Sequence, residues 1–217
     1  MKNTHPKKPY LKKIDVLYED DFLAIVNKPP GLVVSGNKWK TLENAAHKNL
    51  TPSSQDDALP KALACHRIDA MTGGAVLIAK TYAVRRALGE LFEKHMVDKS
   101  YLALVHGKLE KSGEFTSPLN GKSAQTFFEH ISHKSLDNHF VSVVKCQPKT
   151  GRRHQIRIHL AENGNPIVGD KKYGASTLEL DKKAMFLFSM EIGFKHPITG
   201  AEIKVKANPP KKFKWFI

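Results

Sequence analysis

Short apolar runs separated by turn residues dominate this chain, and sustained helical periodicity is confined to a few segments. "IDVLYED" and "FLAIVNK" are β-rich runs around the acidic turn "EDD", which predicts two strands. "KPPG", residues 28 to 31, ends the second of them, because its prolines cannot donate to a ladder. "TLENAAHKNL" reads as a short helix, and "TPSSQDDALP", with turn residues and no period, as an exposed loop. "AVLIAK" has strand length. Thr81 can cap the helix after it, where Val84, Leu88, Leu91 and Phe92 recur at helical spacing.

The second half continues in the same way. "KSYLALVHG" alternates like a strand, and "AQTFFEHIS" and "HFVSVVKCQ" are two more, joined by the polar turn "HKSLDN". "GRRHQIRIHLAENG" fits both periods, but Gly164 suits the residue after a helix, so a helix of about three turns is expected. "MFLFSMEIGF" and "AEIKVKA" form a hairpin around "KHPITG". Strands mostly follow strands, which predicts an α+β fold with a mixed, largely antiparallel sheet and a few flanking helices. Residues 1–13 read as a basic N-terminal extension and residues 14–217 as a single domain.

Charge narrows the range of partners. Lys and Arg total 35 against 21 Asp and Glu, a formal net charge of +14, which points to a polyanion, nucleic acid ahead of an anionic membrane. No stretch is long and apolar enough for a membrane span, and the basic start lacks the apolar core of a signal peptide. Cys65 and Cys146 form no C-x-x-C and suggest no disulfide framework, so a cytoplasmic location is expected. Nucleotide-binding and hydrolase motifs are missing. The histidine pairs His154 with His159 and His130 with His133 lack metal-ligand spacing, so no metal is expected.

Two charged stretches carry the candidate chemistry. "CHRIDAMTGG", residues 65 to 74, sets His66, Arg67 and Asp69 between apolar runs, where an unpaired carboxylate would be costly. "GRRHQIR" gathers Arg152, Arg153, His154 and Arg157 around Gln155, with Ile156 and Ile158 as anchors in the core. Arginine forks hold phosphates, and glutamine positions a base edge or a phosphate. An arginine drawn inward by those isoleucines needs an anion, and Asp69 can supply it. Positive neighbours would in turn keep Asp69 ionised. A lone ionised carboxylate suits nucleophilic attack, although a structural ion pair also accounts for Asp69 by itself.

"CHRIDAMTGGAVLIAK" resembles the signature H-R-L-D-x-x-T-S-G of the RluA-type pseudouridine synthases. "FLAIVNKPPGLVV", "KSYLALVHG", "TGRRHQIRIHLAENGNPIVGDKKYG" and "FKHPITG" are similar to further blocks of that family, in the same order along nearly the whole chain. The resemblance implies a pseudouridine synthase fold with a central RNA-binding cleft. It also implies isomerisation of a uridine in transfer or ribosomal RNA by a monomer that needs no metal or organic cofactor. Asp69 would be the nucleophile, Tyr101 the aromatic packed on the target uracil, and Arg157 the cation paired with Asp69. Arg67 would help to extrude the target, with His66, Arg152, Arg153, His154 and Gln155 binding substrate. A base stacked in helical RNA has to be flipped out to meet a carboxylate, and an aromatic gives it a surface.

The chain departs from the family pattern at Ile68, at Gly73 where serine is common, and at Ser35 where histidine is common. Gly73 is expected to loosen its turn. The family's separate small RNA-binding domain has no counterpart before residue 14, so the Lys-rich start and the tail "PPKKFKWFI" are expected to help grip RNA. A non-catalytic RNA-binding protein of the same fold is the alternative, and a histidine-based metal nuclease a third. Neither the second nor the third needs Asp69, Tyr101 and Arg157 together.

Overall fold

A computed structural model describes residues 13–136, 139–174 and 184–216. The basic N-terminal extension therefore lies outside the described residues, save for Lys13. Among the described residues ten strands form a single sheet of mixed sense: β1 (Asp15–Glu19), β2 (Leu23–Lys28), β3 (Ala58–Ala64), β4 (Gly73–Thr81), β5 (Asp98–His106), β6 (Gly113–Phe115), β7 (Thr126–Leu136), β8 (His139–Pro148), β9 (Leu187–Lys195) and β10 (Glu202–Lys206). The main path runs β1-β2-β4-β9-β5-β8-β7-β6, with β3 on β4 and β10 on β9. Every named pairing is antiparallel except β4 with β9. Four helices flank the sheet: α1 (Leu42–Asn49), α2 (Tyr82–Glu93), α3 (Gln155–Glu162) and the single turn α4 (Lys211–Lys214). The fold is the expected α+β, mixed and largely antiparallel.

Strand β4 is buried along its whole length, as its unbroken apolar run requires. Ala75, Leu77 and Ala79 face the larger core with Val84 and Leu88 of α2. Val76 and Ile78 face a second cluster with Ala24, Val26 and Leu42, Ala45 and Ala46 of α1. Thr41 and Thr81 cap their helices by accepting from the backbone N–H of Asn44 and Val84.

The structure corrects several local expectations. The presumed loop 51–60 ends in strand β3, which carries Pro60 because it pairs only with β4 and does so through an irregular register. The presumed turn 133–138 is strand up to Leu136; His133 pairs Ser142 and Lys134 pairs Val141. Strand β6 is too short to show a period. Helix α3 has about two turns rather than three, because His154 adopts a left-handed conformation (φ 58°) and the helix begins after it. In the C-terminal tail Phe213 and Phe216 are core residues packed on Phe186, and only Trp215 among its described aromatics is exposed.

The short parallel contact of β4 with β9 brings the start of β4 into line with β5. Gly74 pairs with Ser189, and Ser189 pairs with Tyr101 on β5, so these three residues form a row across neighbouring strands. A register irregularity between Ser100 and Tyr101 falls at the same place, and such bulges re-aim side chains. Gly74 has φ 112°, and a Cβ there would lie 2.1 Å from the Ser189 carbonyl oxygen. Gly73 is not in a loosened turn: it opens β4 against Pro30, whose Cδ would lie 3.1 Å from an added Cβ. Gly74→Ala is expected to destabilise the protein by about 3 kcal/mol or more, through strain at a positive φ and the parting of β4 from β9. Urea unfolding measures this, and a change below about 0.5 kcal/mol would show that the close approach is dispensable.

Candidate active site

Asp69 lies on the loop between β3 and β4, and the loop is fixed from both sides. The Thr72 N–H donates to the Asp69 carbonyl, closing the turn. The Ala70 carbonyl accepts from the Gly31 N–H and from Lys28 Nζ at 3.0 Å. Lys28 is wholly buried, and its ammonium also reaches the carbonyls of Leu32 and Pro29. A buried ammonium must be matched by oxygens, so Lys28 ties the prolines that end β2 to the loop that carries Asp69. Sequence reading took "KPPG" as a strand terminator only.

Arg157 comes from α3, on the opposite side of the cleft. Its Nη1 donates to Asp69 Oδ2 at 2.8 Å. Its Nε and Nη2 form a fork with Asp170 Oδ2 and Oδ1, each at 2.7 Å. Asp170 is 1% exposed and accepts in addition from the backbone N–H groups of Lys172 and Tyr173. Burial alone would raise the Asp170 carboxyl, yet Arg157 and these backbone donors hold it below its ordinary range. Burial likewise works against the guanidinium, and the two carboxylates more than offset it. Sequence reading did not single out Asp170. The signal available was an acid one glycine beyond the apolar pair Ile167 and Val168, in a segment without period.

His154 and Tyr173 complete the cluster. His154 Nε2 stands 3.5 Å from Asp69 Oδ1, and its Nδ1 is 2.9 Å from the Tyr173 hydroxyl. The Tyr173 ring also covers the Arg157 guanidinium, with Cζ 5.0 Å from the ring centroid. Burial lowers the His154 imidazole; Asp69 opposes this, while Arg157, Lys172 and Arg153 add to it. Burial pushes the Tyr101 hydroxyl up to about 12, against a hydrogen bond with Ser189 and helped by the charge of Asp69. Tyr101 is thus within electrostatic reach of Asp69. The structure brings Asp69, Tyr101, Arg157 and His154 to a single place.

Other expected substrate contacts face elsewhere. His66 is turned inward: its Nε2 accepts from the Leu77 N–H and its ring packs on Phe92. Burial lowers it to about 3. Gln155 is buried, donating to the Gln125 carbonyl and Thr126 Oγ1 and accepting from Thr150 Oγ1 and the Arg152 N–H. Arg152 Nε donates to the Ser123 carbonyl. These three are brackets of the wall, because backbone groups at its turns had to be satisfied. Arg67 and Arg153 are exposed and make no hydrogen bond or ion pair among the described residues. His159 bonds Thr126 and the Ser117 carbonyl and shares no site with His154. Among the described residues no group of three or more His, Cys, Asp or Glu could hold a metal ion.

Comparison with known proteins places this arrangement. Residues 22–162 match the family described as RNA pseudouridylate synthase. The chain is 36% identical over 216 residues to ribosomal large subunit pseudouridine synthase C of Rickettsia felis, covering 91% of this chain and 68% of that protein. It is 33% identical over 213 residues to ribosomal large subunit pseudouridine synthase D of Nitrosomonas europaea, covering 86% of this chain and 59% of that protein. Among solved structures, human RNA pseudouridylate synthase domain containing 1 superposes with a TM-score of 0.77 at 23% identity, over 92% of this chain and 85% of that one. That last likeness concerns the fold.

Asp170→Ala should cost about 3–5 kcal/mol in unfolding free energy, because it strands a buried guanidinium. An effect below about 1 kcal/mol, measured by urea titration, would mean that Arg157 does not depend on Asp170. His66 gives a pH signature. Its folded value is depressed, so the unfolded chain binds the extra proton between pH 6.5 and about 3. Stability is full above 6.5 and falls as pH drops through that window, by about 2 kcal/mol at pH 5. His66→Gln should flatten that slope; the same slope in the variant would show that other groups carry it.

Proposed function

Since the chain belongs to the RNA pseudouridylate synthase family, we propose that it isomerises a uridine of ribosomal RNA to pseudouridine through attack by Asp69. The observation that carries the mechanism is the Asp69–Arg157 contact at 2.8 Å, with Tyr101 alongside. Ribosomal RNA is favoured by the names of the two relatives above; transfer RNA is the other outcome of the test. Residues 14–217 act as one catalytic domain in this reading.

The contacts around Asp69 support the following chemistry. The uridine is drawn out of its helix, because a base stacked in a duplex cannot meet a carboxylate held between a loop and α3. Tyr101 offers the extruded base its ring, a stacking surface worth about 1–3 kcal/mol. Asp69 attacks and forms a transient bond to the uridine, and the N1–C1′ bond breaks. The base turns, C5 bonds to C1′, and the Asp69 bond breaks again. The proton lost from C5 is balanced by one gained at N1. Arg157 fixes the carboxylate in direction throughout, and its fork to Asp170 keeps the guanidinium from following the substrate. Exposed Arg67 and Arg153 meet RNA phosphates, consistent with the net charge of +14.

Asp69→Asn should abolish pseudouridine formation while leaving RNA affinity within about threefold of wild type, since no phosphate contact is removed. Mapping pseudouridines in ribosomal and transfer RNA, from cells with and without the gene, reads the site directly. A variant that still forms pseudouridine removes Asp69 from the mechanism, and a lost site in transfer RNA moves the substrate there. Tyr101→Ala should weaken binding by about 1–3 kcal/mol and Tyr101→Phe by much less.

A further inference from the structure

The two oxygens of Asp69 are held unequally. Oδ2 accepts from Arg157 Nη1 at 2.8 Å, whereas Oδ1 faces His154 Nε2 at 3.5 Å, beyond an ordinary N–H···O bond. Oδ1 is therefore the oxygen whose lone pairs are less engaged. His154 itself is not free to turn. Its Nδ1 is 2.9 Å from the Tyr173 hydroxyl, and the two rings meet edge to face at 5.6 Å. Tyr173 is in turn fixed by its backbone N–H on Asp170 and its ring over Arg157.

The backbone at His154 breaks two local preferences. It stands at φ 58°, a left-handed conformation uncommon for non-glycine residues although histidine enters it more readily than most, and it precedes α3 without making a side-chain cap. The ring that could have served the helix end is directed at Asp69 and Tyr173 instead. Such departures are found where a side chain has other work.

We infer that His154 is a positioning residue for Asp69 Oδ1, the oxygen presented to the substrate, and that the Tyr173 hydroxyl, by donating to Nδ1, holds the imidazole in the tautomer that the acceptor-only carboxylate selects. This rests on Asp69 being the reacting carboxylate. A hydroxyl that donates to Nδ1 leaves the proton on Nε2, where it points at Oδ1. The opposite tautomer would set a ring lone pair against the carboxylate. The groups facing His154 are Asp69, Arg157, Arg153, Lys172 and Tyr173; burial and the three cations keep it below its ordinary value of 6.5 against the opposing charge of Asp69. The imidazole is then neutral at neutral pH, the form in which a tautomer exists to be set. A neutral donor aligns Oδ1 without adding a second full positive charge to it.

The test has a spectroscopic arm and a kinetic arm, both on the full chain. In 15N-histidine-labelled protein, two-bond 15N–1H correlations report the tautomer, and His154→Ala identifies the relevant signals by their loss. Wild type is expected to carry the proton on Nε2, and Tyr173→Phe to shift signal toward the Nδ1–H form. A wild-type proton on Nδ1 overturns the inference whatever the activity.

In turnover on RNA, Tyr173→Phe should lower kcat about 3- to 10-fold, the effect of one net hydrogen bond, with KM nearly unchanged. His154→Ala should lower kcat by about 10-fold or more and remove the acid limb of kcat that lies below pH 6.5. Thermal midpoints separate these effects from unfolding, and Tyr173→Phe stands as the test if His154→Ala does not fold. Wild-type kcat and pH profile in Tyr173→Phe, with Asp69→Asn inactive, overturn the inference alone. An active Asp69→Asn overturns the reading beneath it.

Discussion

Arg157 shared between two carboxylates is the interaction on which the site depends. The guanidinium and Asp170 are both buried, joined by a fork, and neutral as a pair. Asp69, with 26% of its side chain exposed, contacts a cation whose charge is already matched. It is held in direction by one hydrogen bond at Oδ2, while the rest of the guanidinium belongs to Asp170. Had Asp69 been the sole partner of a buried arginine, the fork would have closed on both its oxygens, and in the proposed mechanism none would be left for the substrate. His154, lowered by its surroundings, adds no second full positive charge beside it.

The sheet supplies the rigidity that such a contact needs. Asp69 and Arg157 are 88 residues apart in sequence, so their 2.8 Å contact is set by the packing of a loop against a helix across the cleft. Lys28 and Gly31 fasten the loop to the end of β2, and Gly74 lets β4 meet β9 directly beside it. The row Gly74–Ser189–Tyr101 places Tyr101 across β9 from the start of β4. Each of these constraints is local, and each fixes a different residue of the candidate site.

Much of the fold was legible because the central strands are short apolar runs bounded by turn residues, because β7 and β10 alternate, and because the capping threonines stand where α1 and α2 begin. What failed did so for identifiable reasons. Pro60 disguised an edge strand, polar residues on the open ribbon β7 imitated a turn, and the left-handed His154 shortened α3. The site was legible through motif resemblance, since no spacing rule relates residue 69 to residue 157. Asp170 and Tyr173 stayed hidden because their segment has no period and their partner lies on another element. His66 and Gln155 misled in the opposite sense: sequence shows that a residue is polar, but not which way it turns.

Direction also sorts the cations by task. Within "HRID" and "GRRHQIR" the inward residues His66, Gln155 and Arg157 build the wall and the ion pair, whereas Arg67 and Arg153 stay outside with no fixed partner among the described residues. Salt screens exposed charges within about 8–10 Å but acts weakly on buried pairs. In the proposed mechanism, capture of the RNA backbone and alignment of Asp69 therefore fall to different arginines under different dielectric conditions. Ionic strength would then loosen a grip on RNA without disturbing the Arg157–Asp170 fork. Were one arginine to do both, the geometry of Asp69 would change whenever the polyanion let go.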